Sequence, residues 1–167
     1  MKYIKTFEAN KIDTLNIKLL FYSRKHASLN KMWELIAQGA NVNCNNYYET
    51  PLMNAASKGF YSGVKLLIDK GADVNITSIR TNRTALTLAM SQNEYNFSVY
   101  KNYKKIIDLL MNSGADLNIG VDNLNDYKHS EEYIRDKYPE QYKEYLLKKQ
   151  TEKYNLWNTW KVIKVIN

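Results

Sequence analysis

The sequence predicts an all-α fold, a short solenoid of stacked helix–turn–helix repeats followed by a C-terminal helical extension. The first observation is a glycine-containing pattern that occurs three times: IAQGANVN (36–43), IDKGADVN (68–75) and MNSGADLN (111–118). Each of these stretches ends a predicted repeat, and we call it the exit of that repeat. The second is a match upstream of two of these exits: TPLMNAAS (50–57) and TALTLAMS (84–91). Repeats with periods of about 20 to 50 residues are too small to bury their apolar faces alone, so they indicate stacking.

The unit at residues 44–75 shows why each part folds as predicted. Thr50 precedes a helical pattern as an N-terminal cap, and Pro51 stands in the first turn, where its missing N–H is tolerated. Gly59 is expected to end this helix and turn the chain. A second helix follows, and Gly71 supplies the left-handed residue after it. The exit glycines Gly39 and Gly71 are 32 residues apart.

The other units are predicted to be variants of this one, with an insertion in the third and divergent units at both ends. In the last unit we expect Ser130 to cap the first helix and Pro139 to mark the corner. We predict a repeat domain over residues 1–150 and a basic, aromatic extension over 151–167 that packs on the last repeat. Within the domain, the predicted repeats are an N-terminal capping repeat at 14–43, full repeats at 44–75 and 76–118, and a divergent C-terminal capping repeat at 119–150. The insertion lies at 93–101, inside the third repeat.

The stretch TPLMNAASKGFYSGVKLLIDKGADVN (50–75) resembles an ankyrin repeat, whose pattern is roughly T-P-L-H-x-A-A … G … L-L … G-A-D-V-N. The resemblance is strong over 45–75 and good over 79–118. It implies a stack whose turns project as fingers and whose first helices line a concave face, where family members commonly bind partner proteins. The usual His is replaced by Met53 and Thr87, so its hydrogen bond to the neighbouring turn is expected to be lost.

The resemblance implies a partner-binding surface, and the sequence adds an unusual loop to it. Tyr and Arg suit such a surface because they offer a large area or a planar donor fork. The aromatic insertion favours specificity, although its aromatics could instead fold back onto the stack, and the turn residues could be merely solvated. The predicted binding residues are Asn46, Tyr47, Glu49, Arg80, Thr81 and Arg83 on the fingers, Ser57, Lys58, Ser91 and Gln92 on the inner helices, Lys70 at a repeat end, and Tyr95, Phe97 and Tyr100 in the 93–103 segment.

The charge of the chain is concentrated at its two ends. The net charge is +7, with seven Lys/Arg against two acids in residues 1–31 and five Lys against one acid in residues 147–167. A groove for phosphates would be basic in the middle of the stack. Association with nucleic acid or a membrane surface through the basic ends is therefore the alternative function. In the tail, Leu156, Trp160 and Ile163 share a helical face. We expect them to cap the solenoid, with a partner, membrane or nucleic-acid contact as alternatives.

The sequence offers little that could carry catalysis. Cys44 is the only cysteine, and His26 and His129 stand apart from any cluster at metal-ligand spacing. There is no phosphate-binding loop and no apolar run near the ~20 residues of a membrane helix. We therefore expect a non-enzymatic protein-binding module without metal or cofactor. We expect it to be cytoplasmic, monomeric when free, and active as a stand-alone inhibitor or effector.

Overall fold

The computed structural model is a row of antiparallel helix pairs. It describes the backbone of residues 2–45, 48–93, 100–120 and 128–166, and the side chains of 11–26, 28–45, 48–92, 102–120 and 130–157. All regular structure in these ranges is helical, which confirms the predicted fold class. The helices are α1 (Lys2–Tyr22), α2 (Leu29–Ala37, after a 3-10 turn at His26–Ser28), α3 (Pro51–Ser57), α4 (Tyr61–Asp69), α5 (Ala85–Asn93), α6 (Tyr100–Asn112), α7 (Lys128–Lys137) and α8 (Pro139–Ile166).

The first helices of the two full repeats begin with reciprocal caps. Thr50 accepts a hydrogen bond from the Met53 N–H at 3.2 Å, and the Met53 sulfur accepts one from the Thr50 N–H at 3.4 Å. In α5 the Thr87 hydroxyl accepts from the Thr84 N–H at 2.9 Å. The two residues that replace the family's His therefore cap the turn at the start of their own helix.

The exits of the repeats are joined by a ladder of amide hydrogen bonds. The Asn43 side chain donates to the Gly71 carbonyl at 3.3 Å and accepts from the Asp73 N–H at 2.9 Å. One repeat later, Asn75 repeats both bonds with Gly114 (3.0 Å) and Asp116 (2.9 Å). Because Asn43 and Asn75 each bind backbone groups of the next repeat, the ladder fixes the spacing of the stack.

The core runs the length of the stack. Helix α3 packs between α1 and α5, while α4 packs between α2 and α6. Ala55, Ala56 and Ala89 are fully buried and let neighbouring helices approach closely. The large side chains that fill the remaining space are Leu19, Met32, Leu52, Met53, Phe60, Leu67, Leu86, Met90, Ile106, Ile107 and Leu110.

The insertion in the third repeat is partly taken up by helix α6. This helix has 13 residues, against 9 in α4. Tyr103, near its start, is buried, and its hydroxyl donates to the Ser57 carbonyl at 3.1 Å. This aromatic of the insertion segment does fold back onto the stack. Residues 94–99 lie outside the described residues.

The last repeat is joined to α6 by a carboxylate. Asp108 accepts hydrogen bonds from the Tyr133 hydroxyl at 2.6 Å, the Tyr138 hydroxyl at 2.9 Å and the Lys137 ammonium at 2.5 Å. Burial raises the pKa of Asp108, but these hydrogen bonds and the Lys137 charge outweigh it, so the pKa is lowered overall. This network takes the place of a third step of the amide ladder.

The helices of both terminal repeats are long. Helix α1 begins at Lys2, α8 runs unbroken from Pro139 to Ile166, and the division of the chain into repeats stays a prediction. Pro139 begins α8, as expected of a corner residue. The prediction for Ser130 was wrong: α7 begins two residues earlier, and the Ser130 hydroxyl donates to the Met90 carbonyl of α5 at 3.3 Å.

The extension beyond residue 150 continues α8 past the stack. The side chains of 151–157 are all exposed, including Leu156 and Trp157. Those of 158–167 lie outside the described residues, so packing of the extension on the last repeat stays a prediction. In the described part of the chain, no helix combines the length and apolarity needed to cross a membrane.

Candidate partner-binding surface

The finger of the third repeat is a closed turn. The Ser78 N–H donates to the Arg83 carbonyl at 2.9 Å, and the Asn82 N–H donates to the Ser78 carbonyl at 2.8 Å. Asn82 adopts a positive φ of 52°, which Asn tolerates better than most residues. These bonds hold the tip, where Ile79, Arg80 and the following residue project into solvent.

The finger of the second repeat, which carries Tyr48, meets the finger of the third repeat in an aromatic–guanidinium pair. The guanidinium carbon of Arg80 lies 5.3 Å from the centroid of the Tyr48 ring. Half of Tyr48 is exposed (50%), and Ile79 beside it is 73% exposed. We call Tyr48, Ile79, Arg80, Thr81 and Arg83 the finger surface. This surface combines cationic and apolar side chains, most of them on a turn that is ordered before any partner binds.

Glu49 lies at the base of its finger and ties the first two repeats together. Its carboxylate pairs with the Arg24 guanidinium at 3.1 Å, and the same guanidinium donates to the Asn54 side chain at 2.8 Å. The Asn54 amide in turn donates to the Leu20 carbonyl at 3.2 Å. The structure therefore places Glu49 within an inter-repeat network, where any contact with a partner is an additional role.

The predicted inner-helix residues differ in accessibility. Lys58 is exposed, and its carbonyl accepts a hydrogen bond from His26 at 2.7 Å. Ser57 is half-buried, with its hydroxyl donating within its own helix to the Asn54 carbonyl. Gln92 is also half-buried.

Ser91 and Lys70 also differ from each other in accessibility. Ser91 is buried at 9% exposure, and its hydroxyl donates to the Leu88 carbonyl at 2.9 Å. Because the Ser91 hydroxyl is buried and bonded within its own helix, it is less accessible than the other predicted inner-helix positions, and its contact with a partner stays a prediction. Lys70 is exposed at the end of α4.

Several predicted positions lie wholly or partly outside the described residues. Asn46, Tyr47, Tyr95 and Phe97 lie outside the described residues, and Tyr100 is described only as the backbone start of α6. Two members of the finger surface, Tyr48 and Ile79, were missed by the sequence reasoning. Each is adjacent to a residue that was chosen. Which neighbour projects from a turn depends on its hydrogen-bonding pattern, which the sequence pattern did not supply.

The cysteine and histidine side chains that catalysis could use are buried or engaged in other contacts where the structure describes them. Burial raises the pKa of the Cys44 thiol to about 11, so little of it is the nucleophilic thiolate at neutral pH. His26 is engaged with the Lys58 carbonyl and the Phe60 ring. Among the described residues, no three His, Cys, Asp or Glu side chains are grouped to hold a metal ion.

A family model described as ankyrin repeats (3 copies) matches residues 2–78 and, in a second overlapping match, residues 19–121. The chain belongs to the ankyrin repeat family. The membership confirms the resemblance read from residues 50–75. Ankyrin repeats are generally protein–protein interaction modules and are generally non-enzymatic.

This ankyrin chain is similar to segments of other ankyrin repeat proteins. It is 39% identical over 71 residues to the ankyrin repeat and KH domain-containing protein mask of Drosophila melanogaster, covering 42% of this chain and 2% of that protein. It is 34% identical over 90 residues to mask-1 of Caenorhabditis elegans, covering 54% and 3%. A putative ankyrin repeat protein of Acanthamoeba polyphaga mimivirus is 45% identical over 65 residues, covering 35% and 40%. Each match spans less than half of the relative, so the similarity concerns the ankyrin repeats themselves.

Proposed function

We propose that this ankyrin chain binds a partner protein through its finger surface and acts as an inhibitor or effector by occupying that partner. The observation that carries the proposal is the Tyr48–Arg80 pair with Ile79 exposed beside it. Aromatic and Arg side chains dominate the binding energy of protein interfaces. A guanidinium stacked on a ring can still donate its in-plane hydrogen bonds to a partner.

Preorganisation of the fingers supports this proposal. The third-repeat finger is closed by hydrogen bonds from Ser78 to Arg83 and from Asn82 to Ser78, and the two repeats are spaced by the amide ladder through Asn43. Surfaces that are ordered before binding lose less conformational entropy on association. The finger surface can therefore contribute most of its contact energy to affinity.

The neighbouring residues extend the proposed surface. Lys58 and Lys70 are exposed and Gln92 is half-exposed, so they can contribute polar contacts at its rim. The predicted contribution of the 93–103 segment to specificity remains part of the proposal. It rests on the sequence, since its central residues lie outside those described.

The first experiment measures capture of a partner by the intact chain. The chain is immobilised, a binding protein is isolated from the native source, and the dissociation constant is measured for variants Tyr48→Ala and Arg80→Ala. We expect each variant to weaken binding about tenfold or more, the range of interface hot spots. The matched control is Lys65→Ala on α4, because Lys65 is exposed and pairs only with Asp69 of its own helix among the described residues. We expect its affinity to stay within about twofold of the parent.

The outcome that contradicts the finger surface is unchanged affinity for both variants, with unchanged helical circular dichroism. A salt titration then separates the alternative function. Binding of generic DNA, RNA or anionic vesicles that falls steeply with salt, without any stoichiometric protein partner, favours association through the basic ends. Assaying the captured partner's own activity with and without the chain distinguishes an inhibitor from an effector that redirects it.

A further inference from the structure

A second candidate surface lies on α1, away from the finger surface. A groove of about 250 Å³ is lined by Ile17, Leu20, Phe21 and Arg24. Ile17 is 67% exposed and Phe21 is 54% exposed, whereas Leu20 is 8% exposed and forms the floor. We call these four residues the α1 groove. Large apolar side chains this exposed and this close together are typical of a binding surface.

The repeat register shows what shape of occupant the α1 groove fits. The exit glycines are 32 residues apart, so Phe21 corresponds to Met53 of the second repeat and Arg24 to Ala56. Met53 is 1% exposed and Ala56 is 0% exposed. Positions that are covered within the stack are therefore open on the first repeat. Because helices pack by placing side-chain ridges into grooves, a helix is the occupant whose shape suits this surface.

The charges around the α1 groove indicate what kind of partner helix would bind there. The Lys25 ammonium lies 4.1 Å from the centroid of the Phe21 ring, and Lys18 is exposed on the same helix. The Arg24 guanidinium is held in place by Glu49 and Asn54. Asp13 is the exposed acid one turn before the groove, and Glu49 is already paired with Arg24. The rim is therefore cationic.

We propose that the α1 groove docks an acidic amphipathic helix of a partner protein. Apolar side chains of that helix would fill the space between Ile17 and Phe21, and its carboxylates would meet Lys18 and Lys25. A second copy of this chain fits the groove poorly, because residues 1–31 carry seven Lys/Arg against two acids and residues 147–167 carry five Lys against one acid. Like charges at such an interface oppose association.

The experiment uses a phage-displayed library of random 16-residue peptides, selected on the immobilised full-length chain. Recovered peptides are then tested on the variant Ile17→Ser/Phe21→Ser and on Lys18→Glu/Lys25→Glu. All four side chains are surface groups, so both variants are expected to fold. We expect peptides enriched in Asp and Glu, with apolar residues at helical spacing. We expect each variant to weaken their binding at least tenfold. Tyr48→Ala/Arg80→Ala is the matched control and should leave the binding unchanged.

Several outcomes would overturn this proposal and leave the proposed role of the finger surface unaffected. The first is recovery of neutral or basic peptides, or of peptides that bind the parent and Ile17→Ser/Phe21→Ser equally. Another is binding of a 20-nucleotide DNA or of anionic phosphatidylglycerol vesicles that depends on Ile17 and Phe21, which makes the groove a polyanion or membrane site. A dimer in sedimentation velocity that the same double substitution dissociates makes a second copy the occupant.

Discussion

The interior junctions of this ankyrin stack and its last junction are held by different kinds of interaction. Between the second and third repeats, Asn75 binds the Gly114 carbonyl and the Asp116 N–H, as Asn43 does one repeat earlier. Between the third and fourth repeats, Asp108 accepts three hydrogen bonds, two from α7 and one from Tyr138 between α7 and α8. The exit loops of the interior repeats are joined through backbone groups, whereas the last repeat is joined to α6 through ionisable side chains.

The difference arises because the last repeat continues as helix α8 where the other repeats have an exit loop. Asn118 occupies the position of Asn75, but α8 continues as a helix where the next exit would stand. Within the described part of the chain, the Asn118 side-chain oxygen is buried without a hydrogen-bond partner. The amide ladder needs a neighbouring exit loop, and a divergent last repeat that lacks one must be attached in another way. Such an attachment depends on a few side chains and on their charge.

The largest expected effect comes from the close approach of Gly120 to the finger of the third repeat. A Cβ on Gly120 would lie 2.4 Å from the Asn82 carbonyl oxygen, and its φ is +69°. Gly71 has a φ of +85° but open space around it. We expect Gly120→Ala to lower the free energy of unfolding by about 3–4 kcal/mol and Gly71→Ala by about 1–2 kcal/mol. Urea unfolding followed by circular dichroism measures both, and equal losses would show that the clash at Gly120 is relieved.

The next effect tests the ionic character of the last junction. Asp108→Asn keeps the shape but removes the charge that Lys137 binds, so we expect a loss of about 2 kcal/mol at pH 7. The pKa of Asp108 is below its usual 3.8. Its stabilisation is therefore present above the unfolded-state pKa and is lost as pH falls through the lower folded-state value.

The measurement is urea unfolding of the parent and Asp108→Asn between pH 7 and pH 2. The difference between them should hold down to about pH 4 and shrink below it. A difference that is constant down to pH 2 would mean that the carboxylate's charge does not stabilise the junction. Hydrogen exchange should place the change in α7 and α8 and leave α3 protected.

The smallest effect compares equivalent asparagines inside and at the end of the ladder. Asn75→Ala removes two bonds to backbone groups, and we expect it to cost about 1–2 kcal/mol. Asn118→Ala removes a side chain whose amide donates only to Asp116 of its own loop among the described residues, so we expect a change within about 0.5 kcal/mol. Equal costs in thermal or urea unfolding would show that the ladder adds nothing beyond local turn structure.

The fold was predictable because its signals are local. The Thr caps, Pro51 and the exit glycines act within a few residues of their own positions, and the caps and glycines recur from repeat to repeat. The candidate site was predicted less completely. Arg80 was chosen from the family pattern, but its contact with the Tyr48 ring joins two fingers that are more than thirty residues apart. Ser91 was chosen from the same pattern and proved to be buried.

The sequence by itself determined the repeat, its caps and turns, and the concentration of positive charge at both ends, because these depend on residue type and short-range spacing. Only the tertiary structure decided which side chains meet across repeats. It placed Arg80 on Tyr48 and Arg24 on Glu49, and it attached the last repeat through Asp108. Such contacts depend on how far each helix extends and how it packs against its neighbours, and no short-range pattern records that.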